Sequence, residues 1–153
     1  MRPDKDTYFV GMAKLAATRS TCLRRAVGCI LVDATGRVLA TGYNGVPKGL
    51  VHCNQHDMFD PTGYPFACDS AHAKSGESLD GCMAVHAEMN AILQCRDPDS
   101  VHTAYVTASP CIQCTKMLMN TGCVRVVFAE EYPHTQAKEL WQSVGNKWEQ
   151  HNA

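Results

Sequence analysis

Four side chains in this sequence have the types and spacing to hold and use a metal ion: His86, Glu88, Cys111 and Cys114. His86-Ala87-Glu88 is followed further along the chain by Pro110-Cys111-Ile112-Gln113-Cys114. A catalytic zinc takes three protein ligands and leaves its fourth position to water, and His86, Cys111 and Cys114 supply three. Glu88 lies two residues from His86, whereas residues that share a helix face lie three or four apart. It therefore reads as a separate acid/base group and not as a fourth ligand. Alone, a Cys-x-x-Cys is more often structural zinc or redox chemistry. Together, in this order and each at the start of a helix-like stretch, the two motifs point to a hydrolytic zinc site.

The elements that must position these groups can be read in outline. Asp4 or Asp6 caps a first helix to about Ser20, with Tyr8, Met12, Leu15 and Ala16 at helical spacing on its buried face. Ala26 to Val32 and Val38 to Thr41 are apolar, branched runs separated by Asp33-Ala34-Thr35-Gly36, which predicts a β-hairpin. Gly42-Tyr43-Asn44-Gly45-Val46-Pro47 then reads as a loop, in which Asn44 and exposed backbone can hold a sugar or phosphate. From Lys48 to Asp80 no periodicity holds, and an irregular stretch of that length implies something that pins it, metal first among the candidates.

A helix is expected from His86 to about Arg96, with Ala87, Ala91 and Ile92 as its apolar strip. A strand follows from Thr103 to Ala108, then a helix opened by Pro110, ending near Thr121 and stopped by Gly122. Val124 to Ala129 is the next strand, and strand–helix–strand order implies a parallel crossover. Glu139 to Val144 suggests a last helix, and Lys147 to His151 a short edge strand or a tail. The sum is an α/β fold: a mixed sheet that starts with an antiparallel hairpin and continues parallel, with helices on both faces. Both halves of the motif fall at helix N-termini, where free amides and the helix dipole favour thiolate and developing negative charge.

Composition narrows the class. The 153 residues read as one domain, and a net charge of -1 provides no basic stripe for a nucleic acid polymer. The first residues, Met1 to Asp6, are charged and lack a signal peptide's apolar run, and no stretch is apolar for long enough to span a bilayer. The 9 cysteines are read as metal ligands and buried thiols in a reducing cytoplasm, with Cys29 and Cys95 as core thiols.

With these motifs placed, the chain resembles the deoxycytidylate (dCMP) deaminases of the cytidine deaminase-like superfamily, particularly the bacterial and phage type. The resemblance lies in Val27-Gly28, Gly42-Tyr43-Asn44-Gly45-Val46-Pro47, His86-Ala87-Glu88-Met89-Asn90-Ala91-Ile92, Tyr105-Val106-Thr107, Ser109-Pro110-Cys111-Ile112-Gln113-Cys114 and Gly122. It covers roughly residues 5 to 135. His-x-Glu with Pro-Cys-x-x-Cys is the signature of zinc nucleobase deaminases at large. The Gly-Tyr-Asn-Gly-x-Pro stretch is what points to this branch rather than to tRNA adenosine deaminases.

The resemblance implies a three-layer α/β/α fold with a sheet of about five strands. It also implies hydrolytic deamination of dCMP to dUMP with release of ammonia, in the supply of thymidylate precursors. In that chemistry zinc lowers the pKa of a bound water, and Glu88 takes its proton, delivers it to the ring nitrogen of cytosine and later protonates the departing amine. The backbone at Ala87 would help to read the base, Asn44 would hold the deoxyribose and Tyr132 would line the base pocket. Arg24 and Arg25 are candidates for the phosphate, although they also read as a solvated charge pair. A second, structural Zn2+ on Cys22, Cys53, His72 and Cys82 is implied, with Cys68 as a rival ligand.

The resemblance further implies a homo-oligomer, a hexamer, switched on by dCTP and off by dTTP. The effector would be bound with Mg2+ near Gly42, Tyr43, Gly45 and Lys48. Two alternatives stay open: a deaminase of another small substrate, such as cytidine, guanine or a pterin or riboflavin precursor, and a zinc-stapled binding module without catalysis.

Overall fold

The computed structural model describes residues 1–22, 25–50, 52, 83–133 and 135–152. Asp4 caps helix α1 (Lys5–Ala17), its carboxylate accepting from the Thr7 amide at 2.8 Å. Strands β1 (Gly28–Asp33) and β2 (Val38–Tyr43) form the hairpin. Its turn is closed by Asp33, whose carboxylate accepts from the backbone amides of Thr35 and Arg37. After residue 83 come helix α2 (Ala87–Gln94), a 3-10 turn (Pro98–Ser100), β3 (Val101–Ala108), α3 (Ile112–Met119), β4 (Arg125–Glu130), α4 (Thr135–Gln142) and β5 (Lys147–Gln150).

The five strands make one mixed sheet in the order β2-β1-β3-β4-β5. β1 is antiparallel to both β2 and β3, while β3–β4 and β4–β5 are parallel. Alternate residues of each strand point to opposite faces, and two cores result. On one side Phe9, Val10 and Ala13 of α1 pack against Ile30, Val32, Tyr105 and Val127. On the other, Cys29, Leu31, Val106, Val126 and Phe128 meet Ala87 and Ala91 of α2, Leu118 of α3, and Ala137 and Trp141 of α4. The layers are therefore α1, sheet, and α2–α4, as expected of the cytidine deaminase-like fold.

Several details differ from the sequence reading. The buried face of α1 is Phe9, Val10, Ala13 and Ala17, while Tyr8 and Leu15 stand 54% and 70% exposed. Both sets recur at helical spacing, and the choice is made by close approach to β1: a Cβ on Gly28 would lie 1.9 Å from the Ala13 carbonyl oxygen. Only a small-residue stripe admits that contact. The helix also ends at Ala17 and not near Ser20.

Gly42 and Tyr43 belong to β2 and not to a loop, pairing with Cys29 and Gly28. The last helix is Thr135–Gln142 and not Glu139 to Val144, and the C-terminal segment is an edge strand parallel to β4. Of the irregular stretch from Lys48 to Asp80, residues 48–50 and 52 are described. Pro47 to Leu50 is a turn that uses Gly49 at φ +95°. Cys29 and Cys95 are buried thiols, as expected.

Candidate functional site

The two halves of the motif meet as N-caps. His86 precedes α2 with extended backbone (φ -68°, ψ 154°), and Cys111 precedes α3 in the same conformation (φ -71°, ψ 172°). His86 Nδ1 lies 3.4 Å from Cys111 Sγ and 3.3 Å from Cys114 Sγ, and the three ligand atoms all fall within 4.8 Å of one another. Tetrahedral zinc with ordinary bond lengths separates nitrogen and sulfur ligands by about 3.5 Å, so the trio fits the ion. Among the described residues it is the one such cluster.

Because His86 stands outside the helix, facing geometry along α2 does not govern it. The separation from Glu88 arises instead from the change of backbone at the cap, which leaves His86 exposed and turns Glu88 inward to 4% exposure.

The electrostatics are those of a site prepared for a cation. Cys111 is driven down to about 4, first by its hydrogen bond with Cys114 and also by His86, against the opposing effect of burial. The same contact, foremost, and burial push the Cys114 thiol well up. Hydrogen bonding to Cys111 raises His86, again against burial. Burial foremost, then the Cys111 charge, raises the carboxyl of Glu88 above the ordinary carboxylate value. A carboxyl shifted this way holds a proton more readily near neutral pH, as a proton carrier must.

Asn44, immediately after β2, is buried, and its side chain clamps the segment that enters β1. Its Oδ1 accepts from the Val27 amide at 2.8 Å, and its Nδ2 donates to the Arg25 carbonyl at 2.6 Å. One amide hydrogen and one lone pair are left over from those two bonds. Tyr132 follows β4, where its backbone amide donates to Ser109 Oγ at 2.6 Å, two residues ahead of Cys111. Arg25 lies over the Tyr132 ring at 5.3 Å and reaches Glu130 at 3.4 Å.

Arg25 and Ala26 also line a cleft of about 230 Å³ together with Lys14, Ala17, Thr107, Ala108, Ala129 and Glu130. The cleft lies at the sheet end where β3 runs into Ser109 and Cys111. Lys14 was not picked out by sequence, since an exposed helix lysine carries no motif.

The remaining expected residues fall out as follows. The Ala87 backbone begins α2, with its side chain fully buried. Gly42 is a packing residue: a Cβ there would lie 2.3 Å from the Ala87 carbonyl oxygen and 2.5 Å from the Ala91 nitrogen. Tyr43 is stacked by Arg19 at 5.9 Å, Gly45 has no described residue within 4 Å of a Cβ built there, and Lys48 is exposed in the following turn. Cys22 is a half-buried free thiol. Arg24, Cys53, Cys68, His72 and Cys82 lie outside the described residues. Two residues that hold the site were missed. Ser109 supports the Tyr132 amide. Asn90, a poor helix former inside a short helix, carried the signal without a stated role.

Residues 3–130 match the family model described as the cytidine and deoxycytidylate deaminase zinc-binding region. The deoxycytidylate deaminase of Schizosaccharomyces pombe is 41% identical over 133 residues, covering 86% of this chain and 38% of that protein. The deoxycytidylate deaminase of Mycobacterium phage D29 is 41% identical over 131 residues, 85% of this chain and 98% of the phage protein. The crystal structure of dCMP deaminase from the cyanophage S-TIM5 in complex with dCMP and dUMP superposes with a TM-score of 0.73. It is 28% identical and covers 99% of each chain. This chain thus spans about two fifths of the fission-yeast relative and nearly all of the phage ones.

Proposed function

The chain belongs to the cytidine and deoxycytidylate deaminase zinc-binding family, and on that premise we propose that it deaminates dCMP by hydrolysis, giving dUMP and ammonia. The observation that carries the reading is the meeting of His86, Cys111 and Cys114 at two helix N-caps beside a buried carboxyl. Zinc held by those three residues would supply a bound water whose pKa is lowered towards neutrality. Glu88 does the proton work. Its carboxylate takes one proton as water adds to the ring carbon and gives it to the ring nitrogen of cytosine. It then takes the second proton from the new hydroxyl and gives it to the amine as the C–N bond breaks and ammonia leaves. Burial, foremost, raises its affinity for the proton above that of an ordinary carboxylate.

Binding falls to the residues around the rim. Asn44 holds the deoxyribose with the amide hydrogen and lone pair left by its clamp, the Ala87 backbone reads the base, and Tyr132 lines its pocket. The 5′-phosphate is taken by Arg25 and its neighbour Arg24, with Lys14 in the same cleft. The Arg25 guanidinium, at the wall of a cleft by this sheet end, favours a monophosphate over a bare nucleoside.

The protein forms a homo-oligomer, a hexamer, that dCTP with Mg2+ activates and dTTP inhibits through the segment from Gly42 to Lys48. Gly45, with no described residue within 4 Å of a Cβ built there, is the glycine at which backbone can approach a phosphate. Cys22, Cys53, His72 and Cys82 would hold a second, structural Zn2+. Thiolate ligands suit a reducing compartment, the cytoplasm. No helix among the described residues is long and apolar enough to cross a membrane.

Ammonia release from dCMP, with deoxycytidine as control, tests the reading. Turnover of dCMP that falls at least tenfold without the phosphate is the expected outcome, as loss of a charge-assisted contact predicts. Equal turnover of both, or of neither, overturns it.

A further inference from the structure

Asn90 sits in the interior of α2, and the proton chemistry leaves it without a task. Its side chain nevertheless reaches two backbone carbonyls outside that helix. Nδ2 donates to the Tyr43 carbonyl oxygen at 2.8 Å and lies 3.4 Å from the Val85 carbonyl oxygen. Its backbone amide donates to the His86 carbonyl at 3.0 Å. The two segments it touches are themselves joined, because Gly45 and Val85 form an antiparallel bridge with hydrogen bonds of 3.1 and 2.7 Å. Each carbonyl it holds stands one residue before a residue of the site: Tyr43 before Asn44, and Val85 before His86.

We propose that Asn90 is a positioning residue whose amide locks the segment carrying Asn44 to the turn carrying His86 and Glu88, so that substrate sugar and metal centre keep one spacing. This inference rests on the reading of Asn44 as a substrate-binding residue. The side-chain type follows from the task. Two carbonyl oxygens need two N–H donors on one short stem, and the carboxamide provides them. A carboxylate of the same shape offers only acceptors and meets both carbonyls with repulsion. Leucine fills the volume and leaves the two carbonyls without donors.

Asn90→Asp in the zinc-loaded full chain is the test, read in three ways. The zinc content stays at the wild-type value, and KM for dCMP rises about tenfold while kcat changes less, as loss of a positioning bond to the binding segment requires. Hydrogen exchange at the Gly45 and Val85 amides speeds up, because the bridge loses its brace. In a double-mutant cycle with Asn44→Ala, the two effects on KM fall short of additive, because one acts through the other.

Unchanged exchange at Gly45 and Val85, or full additivity, overturns the proposal. Exchange does not depend on turnover. If wild type releases no ammonia from dCMP, the substrate reading falls by itself and the exchange result still decides for or against the lock. If Asn90→Asp does not fold, Asn90→Leu, which removes the donors without adding charge, takes its place in all three measurements.

Discussion

At the scale of single residues, what metal chemistry demands was open to reading from the chain. His86, Glu88, Cys111 and Cys114 are defined by type and spacing, and the fold brings the three ligand atoms within 4.8 Å. Substituting Glu88 by glutamine keeps shape and burial but abolishes the titrating oxygen. The variant should bind zinc like wild type, with turnover lower by roughly 10²–10⁴-fold. Zinc analysis beside a single-turnover assay checks this, and near-normal turnover would remove Glu88 from the mechanism. The clamp made by Asn44 was not legible in the same way. Its partners, Arg25 and Val27, are nearly twenty positions away in sequence, and an Asn in a Gly-rich stretch reads equally well as a turn residue. The ligands of an ion announce themselves by chemistry, whereas a side chain that grips backbone does so only once the strands have paired.

Elements were legible where their periodicity was unambiguous, and misplaced where two readings shared one period. The hairpin, both motif helices and the parallel pair β3–β4 were expected in place. The buried stripe of α1 was not, because Ala13 and Ala17 are chosen over larger apolar neighbours by contact with Gly28. Gly42 shows the same rule from the strand side. It looked like the start of a phosphate-friendly loop, yet its missing Cβ is what lets α2 lie on β2.

Gly42→Ala therefore drives a methyl into the backbone of the helix that carries Glu88, and should destabilise the protein by about 1–3 kcal/mol. Gly45→Ala meets nothing within 4 Å among the described residues and should stay within about 0.5 kcal/mol. Denaturant melts of the two variants separate these outcomes. Equal stability would mean that helix and strand can part without loss, against the packing described. Activity sharpens the comparison: Gly42→Ala should also lower turnover by shifting Glu88, while any effect of Gly45→Ala belongs to ligand approach.

For the molecule as a whole, α1 is held against a sheet whose other face carries the site by the apolar cluster of Phe9, Val10 and Ala13. One ion network away from His86 and the cysteines adds to it. Arg125 of β4 pairs bidentately with Asp6 in the first turn of α1, at 3.0 and 2.7 Å, and with Glu149 of β5 at 2.7 Å. Tyr105 of β3 donates its hydroxyl to Asp6 at 2.7 Å. Four elements thus meet at one guanidinium. Nearby, Thr7 Oγ1 and His151 Nε2 lie 3.0 Å apart and join α1 to the residue after β5.

The Arg125 hydrogen bond, foremost, holds the Asp6 carboxyl below its ordinary value of 3.8, and the Tyr105 hydrogen bond adds to it, against partial burial. A folded-state pKa below the unfolded one means stability that is fully present above the ordinary value and lost as pH falls through the depressed one. Asp6→Asn keeps the shape and removes the charge. At neutral pH it should lower the melting temperature by a few degrees, since about 1 kcal/mol shifts a domain of this size by about 2–4 °C. As pH drops below 3.8 the difference between wild type and Asp6→Asn should shrink towards zero. Zinc release in acid is common to both proteins and cancels in that difference. A gap that stays constant from neutral pH down to the acid limit would mean that Asp6 contributes shape alone, and that the charge at this junction does not hold α1 to the sheet.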